Sequence, residues 1–286
     1  MNKLSKTKII VLLYLIKRFI TFFNKLTYRK IKLPDGGHKI ERHNFQYTFV
    51  LFLMKLGLFG KTPNPVSVYV YKLLEKSMEE KSLREYKSDD QCIQHITKFM
   101  QNNYFTQDDL DLILVKEINM KNYPTFNSFF IRKIDMSLRP IIPNITKLNL
   151  YSPADCRARF LTSNKNFIVK GKEINMNEIG FSYNMKHILL CRLIPLDYHR
   201  FHSPVEGRVI NIRNFDSNFN VSVNEAVIPE FNPYGINARK IITFKLVNNS
   251  IVEMAVIAAT FVDDIDLCVK VNDYVKAGDE VGWFNY

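Results

Sequence analysis

The spacing of apolar positions changes character about halfway along the chain. Up to residue 147 it follows helical periods: apolar residues recur over Val66–Tyr86 and Gln91–Asn102 at intervals that put them on one helix face. Thr106-Gln107-Asp108-Asp109 has the form of a capping-box start for a further helix, Asp108–Ile118. From about Leu148 short β-branched runs alternate with turn residues. Phe167–Val169, Ile188–Leu193, Arg208–Ile210, Ile241–Leu246, Val252–Thr260 and Val269–Val271 are expected to be strands. A helical part over 61–147 followed by a β-rich part over 148–286 makes the expected fold class α+β.

Ahead of these lie two longer apolar runs. Ile9–Ile16 is followed by Lys17-Arg18 and then by Phe19–Phe23. A membrane span needs about 20 uninterrupted apolar residues, and a signal peptide needs a small-residue cleavage site that is missing here. An interfacial helix or weak signal-anchor fits better, with Lys and Arg reaching the headgroups; a core-packing amphipathic helix is the alternative. Asp35-Gly36-Gly37-His38 reads as a turn. The second run, Phe45–Phe59, is interrupted by Lys55 and Gly57 and suits a membrane-dipping or a buried helix. Residues 1–60 are therefore expected to be a membrane-associating region.

Composition narrows the partner. With 47% hydrophobic and 24% charged residues, the chain is globular in type. A net charge of +12 favours an anionic partner. Its lysines and arginines are scattered and form no nucleic-acid-binding motif, so a membrane surface is expected and nucleic acid is not. The four cysteines, Cys92, Cys156, Cys191 and Cys268, include no C-x-x-C pair. Neither a zinc site nor a disulfide framework is expected; buried free thiols in a reducing compartment are.

The densest chemistry lies in Asp197-Tyr198-His199-Arg200-Phe201-His202-Ser203-Pro204. Histidine titrates near neutrality, so His199 and His202 point to proton transfer or metal binding; two ordinary structural histidines are the plain alternative. Asp155, after Pro153-Ala154, reads as a turn former or as the partner of a base. Asp197 reads as a structural partner. Arg132 and Arg139 suit lipid headgroups or, more simply, structural salt bridges. Two valine-and-glycine segments, Ser203–Val209 and Val269–Gly282, have the form of carrier-domain hairpins, but no modifiable lysine sits at a hairpin tip.

Taken in order, Tyr123-Pro124-Thr125-Phe126-Asn127-Ser128-Phe129-Phe130-Ile131-Arg132, Leu138-Arg139-Pro140, Ser152-Pro153-Ala154-Asp155, Arg192–Pro204, Asn237-Ala238-Arg239 and Lys276–Phe284 resemble the phosphatidylserine decarboxylases. The resemblance runs from Tyr123 to the last residue. It implies a proenzyme in which a serine hydroxyl attacks the carbonyl of the preceding glycine, and the resulting ester eliminates to leave a pyruvoyl cofactor. That group serves as electron sink while phosphatidylserine loses CO2 and becomes phosphatidylethanolamine. Carried over by motif, His202 is the base for self-cleavage, Asp155 its orienting acid, and His199 an active-site residue for protonation in decarboxylation. No metal is implied. The expected partners are a phospholipid membrane, phosphatidylserine, a small α chain carrying the pyruvoyl group and a second copy of the chain. The expected location is an intracellular membrane, mitochondrial inner membrane or endomembrane.

The chain also departs from the pattern. Cys156 stands where relatives carry Gly, a position that often needs positive φ. Asp263 and Asp264 replace small turn residues after Ala258–Val262. The Gly-Ser element that follows the last strand in relatives is not among residues 1–286. Truncation of the coding sequence, a lipid-binding pseudoenzyme and a processed large subunit are the three expectations this raises, in that order.

Overall fold

The computed structural model describes residues 29–32, 38–41, 65–102, 117–141, 150–162, 166–169, 172–183, 185–221, 223, 232–262 and 264–286. Two helices lead. α1 spans Pro65–Leu83 and α2 spans Asp89–Asn102. On α2, Cys92, Ile96 and Met100 are spaced one turn apart and buried, packing with Tyr86, Tyr123, Phe126, Phe129 and Leu196. Asp89 and Asp90 sit in its first turn, where negative charge meets the exposed amides. α1 ends three residues short of the expected Tyr86, whose amide is diverted to the carbonyl of Pro124 at 3.0 Å.

A five-residue helix, α3 (Phe126–Phe130), went unread in the sequence. It is held by a capping box: Thr125 accepts from the Ser128 amide, and Ser128 accepts from the Thr125 amide. The box turns Phe126, Phe129 and Phe130 inward together. The run Thr125–Phe130 is thus a folding device as well as a motif.

The strands are β1 (Arg29–Lys32), β2 (His38–Glu41), β3 (Arg157–Thr162), β4 (Asn166–Val169), β5 (Lys172–Asn175), β6 (His187–Arg192), β7 (Arg200–His202), β8 (Gly207–Phe215), β9 (Arg239–Lys245), β10 (Ile251–Ile257), β11 (Ile265–Leu267), β12 (Tyr274–Val275) and β13 (Glu280–Phe284). Short helices α4 (Met176–Ile179) and α5 (Pro233–Ile236) connect them. The four-stranded sheet has the order β10-β9-β8-β12 and the three-stranded sheet β11-β13-β7, both antiparallel. Between them lies a core of Phe201, Val205, Val209, Ile242, Phe244, Val256, Ala258, Ile265, Val275 and Val281. Ribbons β3–β6 and β4–β5 complete the β part, and β1–β2 form a separate pair. The fold is α+β, as expected.

Five of the six expected strands are present in substance. Val269–Val271 is instead part of a turn, because the Asp273 carboxylate accepts from the Lys270 amide and Asn272 takes φ +80°. The helix expected over Asp108–Ile118 and the apolar runs 9–23 and 45–59 lie almost entirely outside the described residues. Among the described residues, no helix is long and apolar enough to cross a membrane. The strain expected at Cys156 is not found: its φ is not positive. The thiols also differ from expectation, since only Cys92 is buried while Cys156 and Cys191 are half-buried and Cys268 is exposed.

Candidate active site

β7 carries His202 and lies against β13, with His202 opposite Glu280. Main-chain bonds lock this corner. The His202 amide donates to Pro153 O at 2.7 Å, the Ser203 amide to Asp279 O at 2.8 Å, and the Gly278 amide to Ser203 O at 2.9 Å. The turn Lys276–Asp279 brings Gly278 in with φ +86°, a conformation L side chains rarely adopt.

The His202 ring is fixed at both nitrogens. Nδ1 lies 2.8 Å from the carbonyl of Gly278, and Nε2 lies 3.1 Å from the Tyr198 hydroxyl. A carbonyl oxygen only accepts, so Nδ1 carries the proton. In the neutral ring Nε2 is then the bare nitrogen and accepts from Tyr198. Burial, helped by Glu280, pushes the Tyr198 phenol up to about 12, which keeps it a donor.

Both side chains border a cavity of about 450 Å³ whose wall also includes Lys133, Arg139, Asp279 and Glu280. Arg139 reaches across to Asp155: Nε lies 2.9 Å from Oδ1 and Nη2 lies 2.7 Å from Oδ2. This bidentate pair is about a third exposed, 37% and 31%. The structural salt bridge anticipated for Arg139 is therefore present. The orienting contact anticipated between Asp155 and His202 is taken by the Gly278 carbonyl instead. Asp155 still bears on the site through its charge, which helps hold the Tyr198 proton in place.

His199 occupies a different environment. Its ring stacks on Phe130 at 3.8 Å, and Nδ1 donates to Asp197 O at 2.8 Å. Burial and the nearby Arg132 cation push its pKa down to about 3, so the imidazole is neutral. Asp197 is pushed up to about 6 by burial, against a hydrogen bond from the Ile194 amide at 2.6 Å. Arg132, itself buried, donates to Leu196 O at 2.7 Å. Arg200 joins β7 to β13 by bonding Glu280 at 2.7 Å and lying over the Trp283 ring.

β13 runs past His199, whose carbonyl accepts from the Phe284 amide at 3.0 Å. Asn127 of α3 then holds the next two residues: its Oδ1 accepts from the Tyr286 amide at 2.9 Å, and its Nδ2 donates to Asn285 Oδ1 at 3.0 Å. The Tyr286 ring packs edge-on against Phe126 and Phe130. In effect α3 aims the end of β13 at the Phe130–His199 stack. Among the described residues, no group of three or more His, Cys, Asp or Glu is placed to hold a metal ion.

Tyr198, Gly278 and Lys133 were not singled out by sequence reasoning. Tyr198 lay inside the histidine cluster and Gly278 inside the last motif, so both had a signal without an assigned task. Lys133 had none.

The antiparallel β domain thus holds a fixed histidine beside a cavity whose wall carries Lys133, Arg139, Asp279 and Glu280. Residues 126–286 match the phosphatidylserine decarboxylase family model. The chain is 30% identical over 181 residues to phosphatidylserine decarboxylase proenzyme 2 of Komagataella phaffii, a match covering 59% of this chain and 18% of that protein. It is 32% identical over 176 residues to proenzyme 2 of Saccharomyces cerevisiae, covering 58% and 15%. Against the proenzyme of Fusobacterium nucleatum it is 30% identical over 174 residues, covering 58% and 57%. This chain belongs to the phosphatidylserine decarboxylase family. It spans less than two thirds of the length of each of these relatives.

Proposed function

We propose that this chain supplies the proton-handling and headgroup-binding part of a phosphatidylserine decarboxylase that makes its own pyruvoyl group. The observation that carries the reading is the tautomer of His202. Its Nδ1 is committed to Gly278, so Nε2 is the nitrogen that holds a lone pair beside the cavity, where Tyr198 donates to it. A neutral imidazole so held takes the proton from a serine hydroxyl as that oxygen attacks the glycine carbonyl before it, and gives it to the serine nitrogen as the C–N bond breaks. The ester then loses the serine Cα proton and its carboxylate by elimination, and hydrolysis with release of ammonia leaves the pyruvoyl group. Asp155 acts at one remove, its charge helping to hold the proton on Tyr198, which bonds His202 Nε2.

The residues around the cavity fit a pyruvoyl group and its substrate. Lys133 and Arg139 offer cations to the phosphate and carboxylate of a phosphatidylserine headgroup, and Tyr198 offers a hydroxyl. When present, the group supplies an electron sink for loss of CO2. His199, held neutral with its proton on Nδ1, keeps a bare Nε2 that is suited to accepting a hydrogen bond from the group or water that delivers the proton after loss of CO2. The serine comes from a segment joined after Tyr286, delivered at the end of β13 and forming the small α chain after cleavage. The proposed setting is an intracellular phospholipid membrane, mitochondrial inner membrane or endomembrane, with a second copy of the chain as a further partner.

The test is to express the chain extended by a Gly-Ser segment and a short apolar strand, and to supply phosphatidylserine in mixed micelles. Appearance of phosphatidylethanolamine with release of CO2 supports the reading. Headgroup-selective binding to vesicles without any turnover identifies a lipid-binding pseudoenzyme instead.

A further inference from the structure

In the β3–β6 ribbon Arg157 stands directly opposite Arg192, Arg159 opposite Leu190, and Leu161 opposite Ile188. Strand alternation puts all six side chains on one face. Opposed β-carbons lie about 5 Å apart and diagonal ones about 7–8 Å, so Arg157, Arg159 and Arg192 crowd three cations into one patch. Like charges facing each other across a ladder destabilise it, and little within the chain offsets these. Arg157 and Arg159 are exposed, and among the described residues no ion pair or hydrogen bond engages either. Asp155 is taken by Arg139, and Asp197, which feels the Arg157 charge, is largely buried and bonded to the Ile194 amide.

The rest of that face is apolar. Leu161, Ile188 and Leu190 pack against a core that includes Phe167, Ile174 and Tyr234. Tyr234, on α5, is 7% exposed, and its ring meets Phe167 edge-on. Among the described residues its hydroxyl has no hydrogen-bond partner. The Arg192 and Arg159 cations both act on that hydroxyl, although burial outweighs them and pushes the phenol up to about 12, which keeps it a donor. A buried donor therefore stands where the apolar floor of the ribbon meets its arginines. None of these four polar residues lines the cavity beside His202.

We propose that Arg157, Arg159 and Arg192, with the Tyr234 hydroxyl, form a binding site for a dianionic phosphate group, separate from the active-site cavity. Planar guanidinium forks match the geometry of phosphate oxygens and engage them in pairs. Three such forks and a neutral hydroxyl donor suit a group with three or four oxygens and two charges better than they suit a carboxylate, which has two oxygens and one charge. Binding offsets the like-charge pair across the ladder, so the anion does for the ribbon what no side chain near it does. The group belongs to a soluble phosphate monoester or to a monoester lipid headgroup; the recognising chemistry is the same for both. This inference does not depend on the proposed decarboxylase activity.

The experiment is arginine footprinting of the full chain with phenylglyoxal at constant ionic strength, read peptide by peptide in a mass spectrometer. Arg208, exposed on β8, is the reference, and Arg139 reports separately on the cavity. With inorganic phosphate at about ten times its dissociation constant, modification of Arg157 and Arg159 should slow about tenfold while Arg208 changes by less than about twofold. A second arm replaces phosphate with phosphatidylcholine vesicles containing phosphatidic acid. Protection in both arms supports a site open to soluble monoesters; protection by the phosphatidic acid vesicles alone supports a lipid headgroup as the source. Arg159→Gln, at an exposed position, should raise the ligand concentration that half-protects Arg157 about tenfold. Absence of protection in both arms, equal slowing at Arg208, equal protection by vesicles of phosphatidylcholine alone, or an unchanged midpoint in Arg159→Gln would each overturn the proposal. The first three readouts need no variant, so misfolding of Arg159→Gln does not shield it.

Discussion

The carbonyl of Gly278 lies 2.8 Å from Nδ1 of His202, and this one contact decides which imidazole nitrogen carries the proton and which one accepts. The turn that presents the carbonyl depends on a glycine with φ +86°, and a β-carbon there would come 2.7 Å from Ile141 Cγ1. Gly278→Ala should therefore cost about 1–3 kcal/mol in urea denaturation. In the extended chain it should also slow self-cleavage, since the ring loses its anchor. An unchanged denaturation midpoint would show that the turn relaxes without strain.

Asp197 and His199 give opposing pH dependences. His199 has a folded pKa of about 3, below its ordinary 6.5, so as pH falls through that window the unfolded chain binds the extra proton and stability is lost. Asp197 has a folded pKa of about 6, above its ordinary 3.8, so between those values the folded chain binds the extra proton and stability is gained on acidification. Between about pH 6 and 4 the two slopes cancel. Asp197→Asn removes the gain and leaves the loss, so relative to the parent its stability should fall by roughly 1.4 kcal/mol per pH unit over that range. Parallel stability–pH curves for the two proteins would contradict this assignment.

Asn127 ties α3 to the end of β13 with both ends of its amide. It is 7% exposed, so truncation leaves buried polar backbone without compensation. Asn127→Ala should destabilise the chain by about 1–3 kcal/mol. Asn127→Asp, which keeps the acceptor for Tyr286 and loses the donor, should fall between. Equal effects of the two would mean that the contact to Tyr286 contributes nothing.

Gly282 sits at the irregularity where β13 crosses β7. A β-carbon there would overlap Asp266 O and come 2.7 Å from the Phe201 ring. Since one obstacle is backbone and the other a core ring, Gly282→Ala should cost on the order of 3 kcal/mol or abolish folding. Thermal unfolding with a midpoint within 2–3 °C of the parent, well under the shift of such a loss for a domain of this size, would count against it.

Much of this was legible in the sequence, for reasons that differ by element. α2 and β9 announce themselves because burial of one face, or of a run such as Ile241–Phe244, leaves a periodic or continuous apolar signal. β3 does not: Arg157–Thr162 is exposed along most of its length and is held by pairing with β6, so it has no burial pattern to read. α3 is too short to show a period and is specified by its capping box. For the site, residue types pointed to His199, His202 and Asp155 but not to their contacts. No local pattern reveals that a main-chain carbonyl from a turn 76 residues away will meet His202, or that Asp155 will turn to Arg139.

Asp155 and Arg139 are about a third exposed, so their pair contributes little to the fold. Asp155→Asn is expected to change stability by less than about 1 kcal/mol while slowing self-cleavage of the extended chain by tenfold or more, about 1.4 kcal/mol in the barrier. A large loss of stability with normal cleavage would reverse the roles argued for this carboxylate.

The base role of His202 is tested most directly by mass spectrometry of the extended chain. With His202 intact, two chains should appear, the smaller with an N-terminus blocked as a pyruvoyl group. With His202→Asn, whose amide still donates to Gly278 but which lacks a basic nitrogen, the protein should remain folded and uncut. Cleavage of His202→Asn at the parent rate would contradict the account.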